Sequence, residues 1–330
     1  MTISEPRKHH IVPAFYLAGF TKTGSPTGTL HVFDYASGKR YRSTPRKACR
    51  ETDFYRVDEP GEDPYLIEKV MSWHEDVVAP YVRQVGSGRA SNKRQVGETL
   101  ALAALLAVRS RRGRHQLEVT LATGLAMRLR RGEVTPEQWE HLRQAELRNG
   151  ATPDQVPEYQ AAKGQLLNGE WFPRAPAVLV VGLIPEAQNG FMKMLLGRHW
   201  ELHATDSTKN GGFISSDSPL VWGDLEEIVE EIVAGRQQSL ADHNIEVTFP
   251  VSRNAALISY PDAHDANCTA TDEIVAHVNM RTLQLSMGLV FHAHEDFLLR
   301  RQSGDIRQGS EYFAYVAYVR RARSQGILRP

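Results

Sequence analysis

The stretch Leu100-Ala101-Leu102-Ala103-Ala104-Leu105-Leu106 decides the fold, because it is apolar on every side of a helix. It lies within a helix that the pattern predicts over residues 95–109, whose polar residues stand near the two ends. A helix that is hydrophobic all round is buried, either in a protein core or in a membrane. The apolar run is too short to cross a bilayer, so the sequence predicts a helical bundle packed around this segment.

The composition is that of an ordinary globular protein. Of the 330 residues, 41% are hydrophobic and 24% are charged, which is typical of a soluble domain. The 39 basic and 39 acidic residues cancel, and this argues against a whole surface that binds nucleic acid or membrane. Cys49 and Cys268 are far apart in the sequence and form no CxxC pair, so neither a disulfide framework nor a cysteine zinc site is expected. Residues 1–9 lack the apolar region of a signal peptide, and we expect a cytoplasmic protein with no membrane partner.

Apolar periodicity predicts a single α+β domain over residues 1–330, with three sub-regions. Residues 1–64 form an N-terminal arm and a small β-hairpin, residues 65–196 a central helical bundle, and residues 197–330 a mixed, β-rich part. Helices are predicted at residues 65–81 (interrupted at Pro80), 95–109, 117–131, 136–149, 159–167, 177–191, 225–233 and 272–287. Strands are predicted at residues 30–35, 40–42, 53–57, 200–205, 212–217, 245–250 and 255–260, and residues 289–294 and 312–318 fit either a strand or a helix end.

The N-terminal arm carries a basic, imidazole-rich motif, Lys8-His9-His10-Ile11-Val12-Pro13. It precedes a short apolar helix whose start suits a proline, because the first N–H groups of a helix have no partner there. His10 could serve as a general base, a metal ligand or a phosphate contact, with Lys8 adding positive charge. The motif resembles the entry of HNH-type nuclease motifs, but no N-x-x-x-H arrangement follows it. The alternative is a basic arm with one hydrogen-bonded histidine.

Residues 86–131 form a strongly basic segment, with ten basic residues and only two acidic ones. Arginine binds phosphate through two parallel donors, so this segment is either an anion or nucleic-acid surface or a solvated helix end. Arg109 directly follows the buried helix, and we expect it to face inward and pair with Glu68 or Glu75. These glutamates are seven residues apart and share one helix face, where they could hold a metal or orient a histidine, or else lie exposed in solvent.

Two further groups of polar residues lie in the C-terminal part. Ser215-Ser216-Asp217-Ser218-Pro219 ends a predicted strand and suits either metal or substrate binding, or a turn capped by Asp217 itself. No G-x-S-x-G elbow surrounds these serines. His292 and His294 share a strand face at a spacing found in metal sites, without an evident third ligand. The sequence contains neither a P-loop nor G-x-G-x-x-G, so nucleotide binding of those kinds is not indicated.

Many of these residues recur in one known pattern. They are Lys8, His10, Val12, Pro13, Tyr16, Leu17, Phe20, Phe54, Tyr55, Glu68, Glu75, Arg109, Trp200, residues 213–219, residues 249–252 and Asn279. In this order they resemble the bacterial domain-of-unknown-function 4238 family, across nearly the whole chain. The resemblance implies that His10, the two glutamates, Arg109, Asp217 and Asn279 belong together, and it leaves His292 and His294 outside. It implies no reaction.

Two functional hypotheses follow. The first is a metal-dependent phosphodiester hydrolase, nuclease-like, which would need a divalent metal ion and act on nucleic acid or another phosphate-bearing ligand. The second is a non-catalytic binding or sensor protein, in which the same residues form a polar network or hold a small anion. In both, the N-terminal arm docks onto the C-terminal strands. The predicted catalytic residues are Lys8, His10, Glu68, Glu75 and Asp217, and the predicted substrate-binding residues are Tyr16, Arg109, Arg112, Ser216 and Asn279.

Overall fold

A computed structural model describes residues 8–52, 54, 56–57, 61, 63–223, 240–301 and 303–324 of the chain. The fold is α+β, as the sequence predicts, with a helical bundle between an N-terminal hairpin and C-terminal strands. Within these ranges, no helix has the length and apolar character needed to pass through a membrane.

The bundle is built around helix α3 (Lys93–Arg109), which is buried from Thr99 to its last residue. Its first turn is capped by Asn92, whose side-chain oxygen accepts a hydrogen bond from the Gln95 amide at 3.0 Å. Helix α3 packs between α2 (Leu66–Gly86) and α8 (Ile184–Leu196). The other bundle helices are α4 (Arg111–Arg131), α5 (Pro136–Arg148), α6 (Tyr159–Asn168) and α7 (Ala177–Gly182). The apolar stretch at residues 100–106 therefore does form the centre of the bundle.

Helix α2 continues through Pro80, where the sequence predicts an interruption. Proline removes one N–H donor, which leaves the carbonyl four residues earlier without its helical partner. Both Pro80 and Asp76, which carries that carbonyl, are exposed, so water can take the place of the missing donor. The helix is therefore longer than its sequence pattern indicates.

The N-terminal part contains α1 (Ala14–Ala18) and the predicted hairpin, formed by β2 (Leu30–Asp34) and β3 (Lys39–Ser43). A separate antiparallel pair joins β1 (Lys8–His10) to β4 (Arg50–Thr52). The strand predicted at residues 53–57 is thus wrong in position. The observed strand, β4, ends at Thr52 and pairs with the N-terminal arm instead of the hairpin. The position of the three residues of β4 is determined by pairing with β1, and intrinsic β-propensity does not predict such pairing. Residues 53 and 55 lie outside the described part of the chain.

The C-terminal part adds most of the strands. Its elements are β5 (Glu201–Ala204), α9 (Ser207–Asn210), β6 (Ser215–Ser216), β7 (Val221–Trp222), β8 (Val247–Ser252), β9 (Ala255–Ser259), β10 (Ala266–Thr269), α10 (Asp272–Gln284), β11 (Leu289–His292), β12 (Leu298–Arg300), β13 (Ile306–Gln308) and α11 (Gly309–Ser324). One sheet has the order β10-β5-β9-β8-β7, and a second has the order β3-β2-β11-β6. The segment at residues 312–318 is helical, and the helix predicted at residues 225–233 lies outside the described residues.

The N-terminal arm docks onto the C-terminal strands, as predicted. The hydroxyl of Tyr16 donates to the Pro250 carbonyl at 2.6 Å and lies 3.1 Å from the Ser215 hydroxyl. The Tyr16 ring stacks on Phe249, with 5.7 Å between ring centroids. A single apolar cluster contains residues of the arm, of α3 and of β8 and β9, so the three sub-regions share one core.

Candidate functional site

The junction between α3 and α4 is a sharp turn that needs two particular residues. Ser110 ends α3 in an extended conformation and also caps α4, because its hydroxyl accepts a hydrogen bond from the Gly113 amide at 3.0 Å. A β-carbon on Gly113 would lie 1.9 Å from the carbonyl oxygen of Ala107, so only glycine fits there. Because the chain changes direction at this turn, the arginines on its two sides contact different parts of the protein. We call Arg109, Arg111, Arg112 and Arg114 the arginine junction.

Arg109 faces inward and pairs with Glu75, one of the two partners that the sequence predicts for it. Its side chain is 1% exposed, and its guanidinium donates to the Glu75 carboxylate and to the backbone carbonyl of His10. Burial raises the pKa of Glu75, although Arg109 acts in the opposite direction. Arg109 therefore ties the N-terminal arm to α2 at the end of the buried helix.

Glu68 lies within the electrostatic reach of Arg109 and Glu75, as expected from its place one heptad before Glu75. Its Oε2 atom is buried and has no hydrogen-bond partner among the described residues. Burial raises the pKa of Glu68, Glu75 raises it further, and Arg109 lowers it. The two predicted glutamates therefore differ: Glu75 is paired, and the buried Oε2 of Glu68 has no partner that the structure describes.

The imidazole of His10 faces Arg50. Its Nε2 atom lies 3.0 Å from the Arg50 guanidinium, which can only donate, and 3.3 Å from the carbonyl of Arg46, which can only accept. One nitrogen cannot serve both, and the shorter contact with the charged donor fixes Nε2 as the acceptor. Burial, followed by the charge of Arg50, lowers the pKa of His10 to about 4, so the ring is neutral at pH 7.

The second arginine of the junction, Arg111, connects the arm to the C-terminal strands. Its Nε atom donates to Glu51 at 2.5 Å, and its Nη1 lies 3.9 Å from Asp217. Cys49 also lies near Arg111 and Asp217, and its carbonyl accepts a hydrogen bond from the Ile11 amide at 3.0 Å. Burial, followed by the charge of Asp217, raises the pKa of its thiol, and Arg111 acts in the opposite direction. Arg111 thus links Asp217 to the β1–β4 pair that carries His10.

Asp217 is completely buried and is held by backbone donors. Its carboxylate accepts from the amides of Met287 at 2.9 Å and Leu289 at 3.2 Å, yet burial still raises its pKa. The neighbouring Ser216 accepts from the Ser218 amide at 3.1 Å and forms a local turn. The structure therefore gives both residues hydrogen bonds that order the strand end.

Asn279 and Tyr16 have their polar side-chain atoms engaged within the protein. The Asn279 amide accepts from the Ile214 amide at 2.9 Å and donates to the carbonyls of Gly212 and Leu298, each at 3.0 Å. Tyr16 is bonded to the C-terminal strands as described above. The structure does not bring these two residues to the arginine junction through any described hydrogen bond. Lys8 lies opposite Thr52 in the β1–β4 pair, and its side chain is not described.

Arg112 differs from the other three arginines of the junction. Its guanidinium carbon lies 5.1 Å from the centre of the Trp222 ring, and its Nη1 is buried without a hydrogen-bond acceptor in the described part of the chain. Burial lowers its pKa, and no acid among the described residues opposes this. Arg114, on the same helix, also covers an aromatic ring, Phe54, but it is satisfied by the Phe54 carbonyl and by Glu118 at 3.0 Å.

The predicted metal ligands do not gather into one cluster. Among the described side chains, His10, Glu68, Glu75 and Asp217 bring no three ligand atoms within 4.8 Å of one another. His292 is buried, stacks on His31 at 5.3 Å and contacts the His294 carbonyl through Nδ1 at 2.6 Å. His292 is therefore part of the packed strand β11, whereas the half-buried His294 lies beyond the end of this strand, so the prediction that the two histidines share a strand face is wrong.

Several residues of this region have no signal in the sequence. Glu51, the partner of Arg111, stands in a segment without periodicity, and Trp222 follows the Ser-Pro turn as an isolated aromatic residue. His74, whose Nδ1 is buried without a partner among the described residues, lies on α2 like an ordinary surface histidine. Long-range packing brings these residues to the junction, and such packing has no local sequence signature.

The geometry defines an α+β protein in which arginines at one helix junction join the arm, the bundle and the C-terminal strands. The family model described as "Protein of unknown function (DUF4238)" matches residues 8–296, and the chain belongs to this family. No curated protein and no solved structure matches the chain. The family description names no activity, so a functional proposal depends on the chemistry of these side chains.

Proposed function

We propose that this protein binds a small anion, of the phosphate or carboxylate class, at Arg112. The observation that carries the proposal is the buried Nη1 of Arg112, which has no acceptor among the described residues. Burying an unpaired charge is costly, so such groups are normally paired or hydrogen-bonded. An anion would supply the missing acceptor and charge, and guanidinium groups bind phosphate and carboxylate through two donors.

The surroundings of Arg112 support a small ligand. Trp222 lies under the guanidinium and meets Phe191 of α8 edge-on, with 5.7 Å between the ring centres. One helical turn earlier, Gln188 of α8 lies 3.5 Å from His74. Residues three apart on a helix share a face, so His74 and Trp222 lie along the same face of α8. His74 Nδ1 is also buried without a partner among the described residues, which leaves a further polar group for a ligand.

The test is binding of inorganic phosphate to the full chain, measured by isothermal titration calorimetry. We expect wild type to bind phosphate and Arg112→Gln to bind it at least about tenfold more weakly. Arg114→Gln is the matched control, because Arg114 also covers an aromatic ring but is hydrogen-bonded to Glu118 and to the Phe54 carbonyl. Equal affinities in wild type and Arg112→Gln would overturn the proposal, and so would an Arg114→Gln variant that alone loses binding. Acetate as the injected ligand separates the carboxylate from the phosphate class.

Phosphodiester hydrolysis is the second candidate, and one observation favours it. A general base must be unprotonated, and the lowered pKa of His10 keeps its imidazole neutral at pH 7, although Nε2 would first have to exchange its hydrogen bond from Arg50 for the substrate proton. The hydrolase hypothesis would also need a divalent metal ion held by the carboxylates. The assay is incubation with labelled DNA and RNA, with and without Mg²⁺ or Mn²⁺. Cleavage that needs the metal and is lost in His10→Ala supports it, and the absence of metal-dependent cleavage by wild type rejects it.

A further inference from the structure

A second group of polar side chains lies far along the chain from the arginine junction, on strands β5 and β10. Glu201 and His203 are two residues apart on β5, so they point to the same face of the sheet. Cys268 of the parallel neighbour β10 is directly opposite His203. Leu202, between the two β5 residues, points to the other face and joins the main apolar core. The sheet therefore presents a carboxylate, an imidazole and a thiol together.

The ligand atoms of these three residues lie close enough to share one ion. The distance from His203 Nε2 to Glu201 Oε2 is 2.9 Å, and that from Cys268 Sγ to the same Oε2 is 3.8 Å. All three atoms lie within 4.8 Å of one another. In a tetrahedral zinc site, ordinary bond lengths place nitrogen and oxygen ligands about 3.3 Å apart, and sulfur and oxygen about 3.6 Å apart. The two distances to Glu201 Oε2 differ from these values by only a few tenths of an ångström, and the third pair, His203 and Cys268, lies within 4.8 Å.

The carboxylate is already oriented by neighbours. Glu201 accepts a hydrogen bond from the Tyr260 hydroxyl and another from the His264 backbone amide. Such outer hydrogen bonds hold metal-binding carboxylates in place in known sites. His203 has a side chain only 6% exposed, and its Nδ1 has no hydrogen-bond partner in the described part of the chain. Among the described residues the imidazole is hydrogen-bonded through Nε2 to Glu201, so Nε2 is the nitrogen that would bind an ion shared with this carboxylate.

We propose that Glu201, His203 and Cys268 form a binding site for a transition-metal ion of the zinc class. The mixture of thiolate, imidazole and carboxylate suits Zn²⁺ or Co²⁺ and is unsuited to Mg²⁺ and Ca²⁺, which prefer oxygen ligands. Cys268 would bind as a thiolate and release its proton to solvent. Three protein ligands leave a fourth position for water or a ligand, and the half-buried Cys268 on the terminal strand of the sheet gives access.

The test is Co²⁺ titration of the full chain, followed by absorption spectroscopy. We expect one equivalent of Co²⁺ to produce a thiolate-to-cobalt charge-transfer band in the near ultraviolet, which one equivalent of Zn²⁺ abolishes. Cys268→Ser should lose this band, and His203→Gln should weaken Co²⁺ binding. Tyr260→Phe should weaken it about tenfold, because it removes only an outer hydrogen bond. The matched controls, Cys49→Ala and His199→Gln, should keep both the band and the affinity.

Two spectroscopic results would overturn the proposal. One is a wild-type protein that gives no thiolate band with Co²⁺, which would make the three residues a hydrogen-bonded structural group only. The other is a band that persists in Cys268→Ser. If a variant fails to fold, as judged by circular dichroism, wild type still decides the question: Zn²⁺ should protect Cys268 from alkylation by N-ethylmaleimide, read by mass spectrometry of the peptide. Equal alkylation with and without Zn²⁺ rejects the site.

Discussion

Arg109 and Glu75 form an ion pair at the end of the buried helix α3, with the Arg109 side chain 1% exposed and that of Glu75 19% exposed. The same guanidinium donates to the backbone carbonyl of His10 and so joins the arm to the bundle. Because the pair is buried, removing one partner leaves a charge without compensation in a medium that solvates it poorly. Removing one partner of this pair should therefore lower the free energy of unfolding more than removing one partner of a pair in solvent.

Glu75→Gln should lower the free energy of unfolding by about 3 kcal/mol, because it leaves the charge of Arg109 uncompensated. The measurement is urea denaturation followed by circular dichroism. Glu295→Gln is the control: it breaks the exposed pair with Arg42, whose side chains are 66% and 74% exposed, and should change stability by less than about 1 kcal/mol. A Glu75→Gln variant as stable as Glu295→Gln would show that the buried pair does not hold the arm.

The inward position of Arg109 is one of the features that the sequence does predict. A helix that is apolar all round must be buried, and a charge at its end must then find a partner, so the glutamates on the neighbouring helix are the expected choice. The strand pair β1–β4 is not predictable in the same way. Its strands have three residues each, and their pairing depends on a chain reversal over some forty residues of sequence.

The sequence predicts the candidate site only in part, because it does not show which side chains contact one another. The sequence identifies the basic segment that contains Arg112, but it does not reveal that Trp222 lies beneath this side chain while Arg114 finds Glu118. Which arginine forms no ion pair with the described residues depends on the turn at Ser110, where the chain changes direction. The sequence predicts Asp217 as a catalytic residue and Asn279 as a substrate-binding residue, whereas the structure shows both hydrogen-bonded to backbone groups.

Arg112→Met should not destabilise the protein, although the side chain is largely buried. The substitution loses a cation–π contact worth about 1 to 2 kcal/mol, but it also removes the cost of burying an unpaired charge, which is several kcal/mol. We therefore expect a free energy of unfolding equal to or above that of wild type in phosphate-free urea denaturation. Arg109→Met is the comparison and should be destabilised by about 3 kcal/mol or more.

The contrast between the two arginines also checks the assignment of the anion site. A residue kept for ligand binding commonly costs stability that its replacement restores. If Arg112→Met were destabilised as strongly as Arg109→Met, the guanidinium of Arg112 would be a structural group with satisfied partners, and the proposed site would lose its basis.

Gly113→Ala should be strongly destabilising, because its β-carbon would lie 1.9 Å from the carbonyl oxygen of Ala107. The backbone of the junction would have to move, which we expect to cost about 3 kcal/mol or more. Gly124 lies in the same helix and has nothing within 4 Å of its added β-carbon. Gly124→Ala should therefore stabilise the protein by up to about 1 kcal/mol, since alanine favours the helix. Similar melting temperatures for the two variants would contradict the close approach at the junction.

The stability of the protein should fall as the pH is lowered from 6.5 to about 4, in part because of His10. Its pKa is lowered in the folded state from 6.5 to about 4 by burial and by Arg50. Between these two pH values the unfolded chain holds a proton on this ring and the folded chain does not, so stability increases with pH. Above 6.5 the contribution is complete, and below about 4 both states are protonated and the slope from this group vanishes.

His10→Asn should remove this part of the pH dependence, because asparagine does not titrate. The measurement is the free energy of unfolding by urea at several pH values from 3.5 to about 8, compared between wild type and His10→Asn. Between pH 6.5 and 4, the difference between the two free energies of unfolding should change with pH at a slope that corresponds to about one bound proton. Above pH 6.5 this difference should be constant. His199→Asn, which alters an exposed ring, is the control and should leave the wild-type slope in place. Parallel curves for wild type and His10→Asn would mean that the imidazole of His10 is not buried against Arg50.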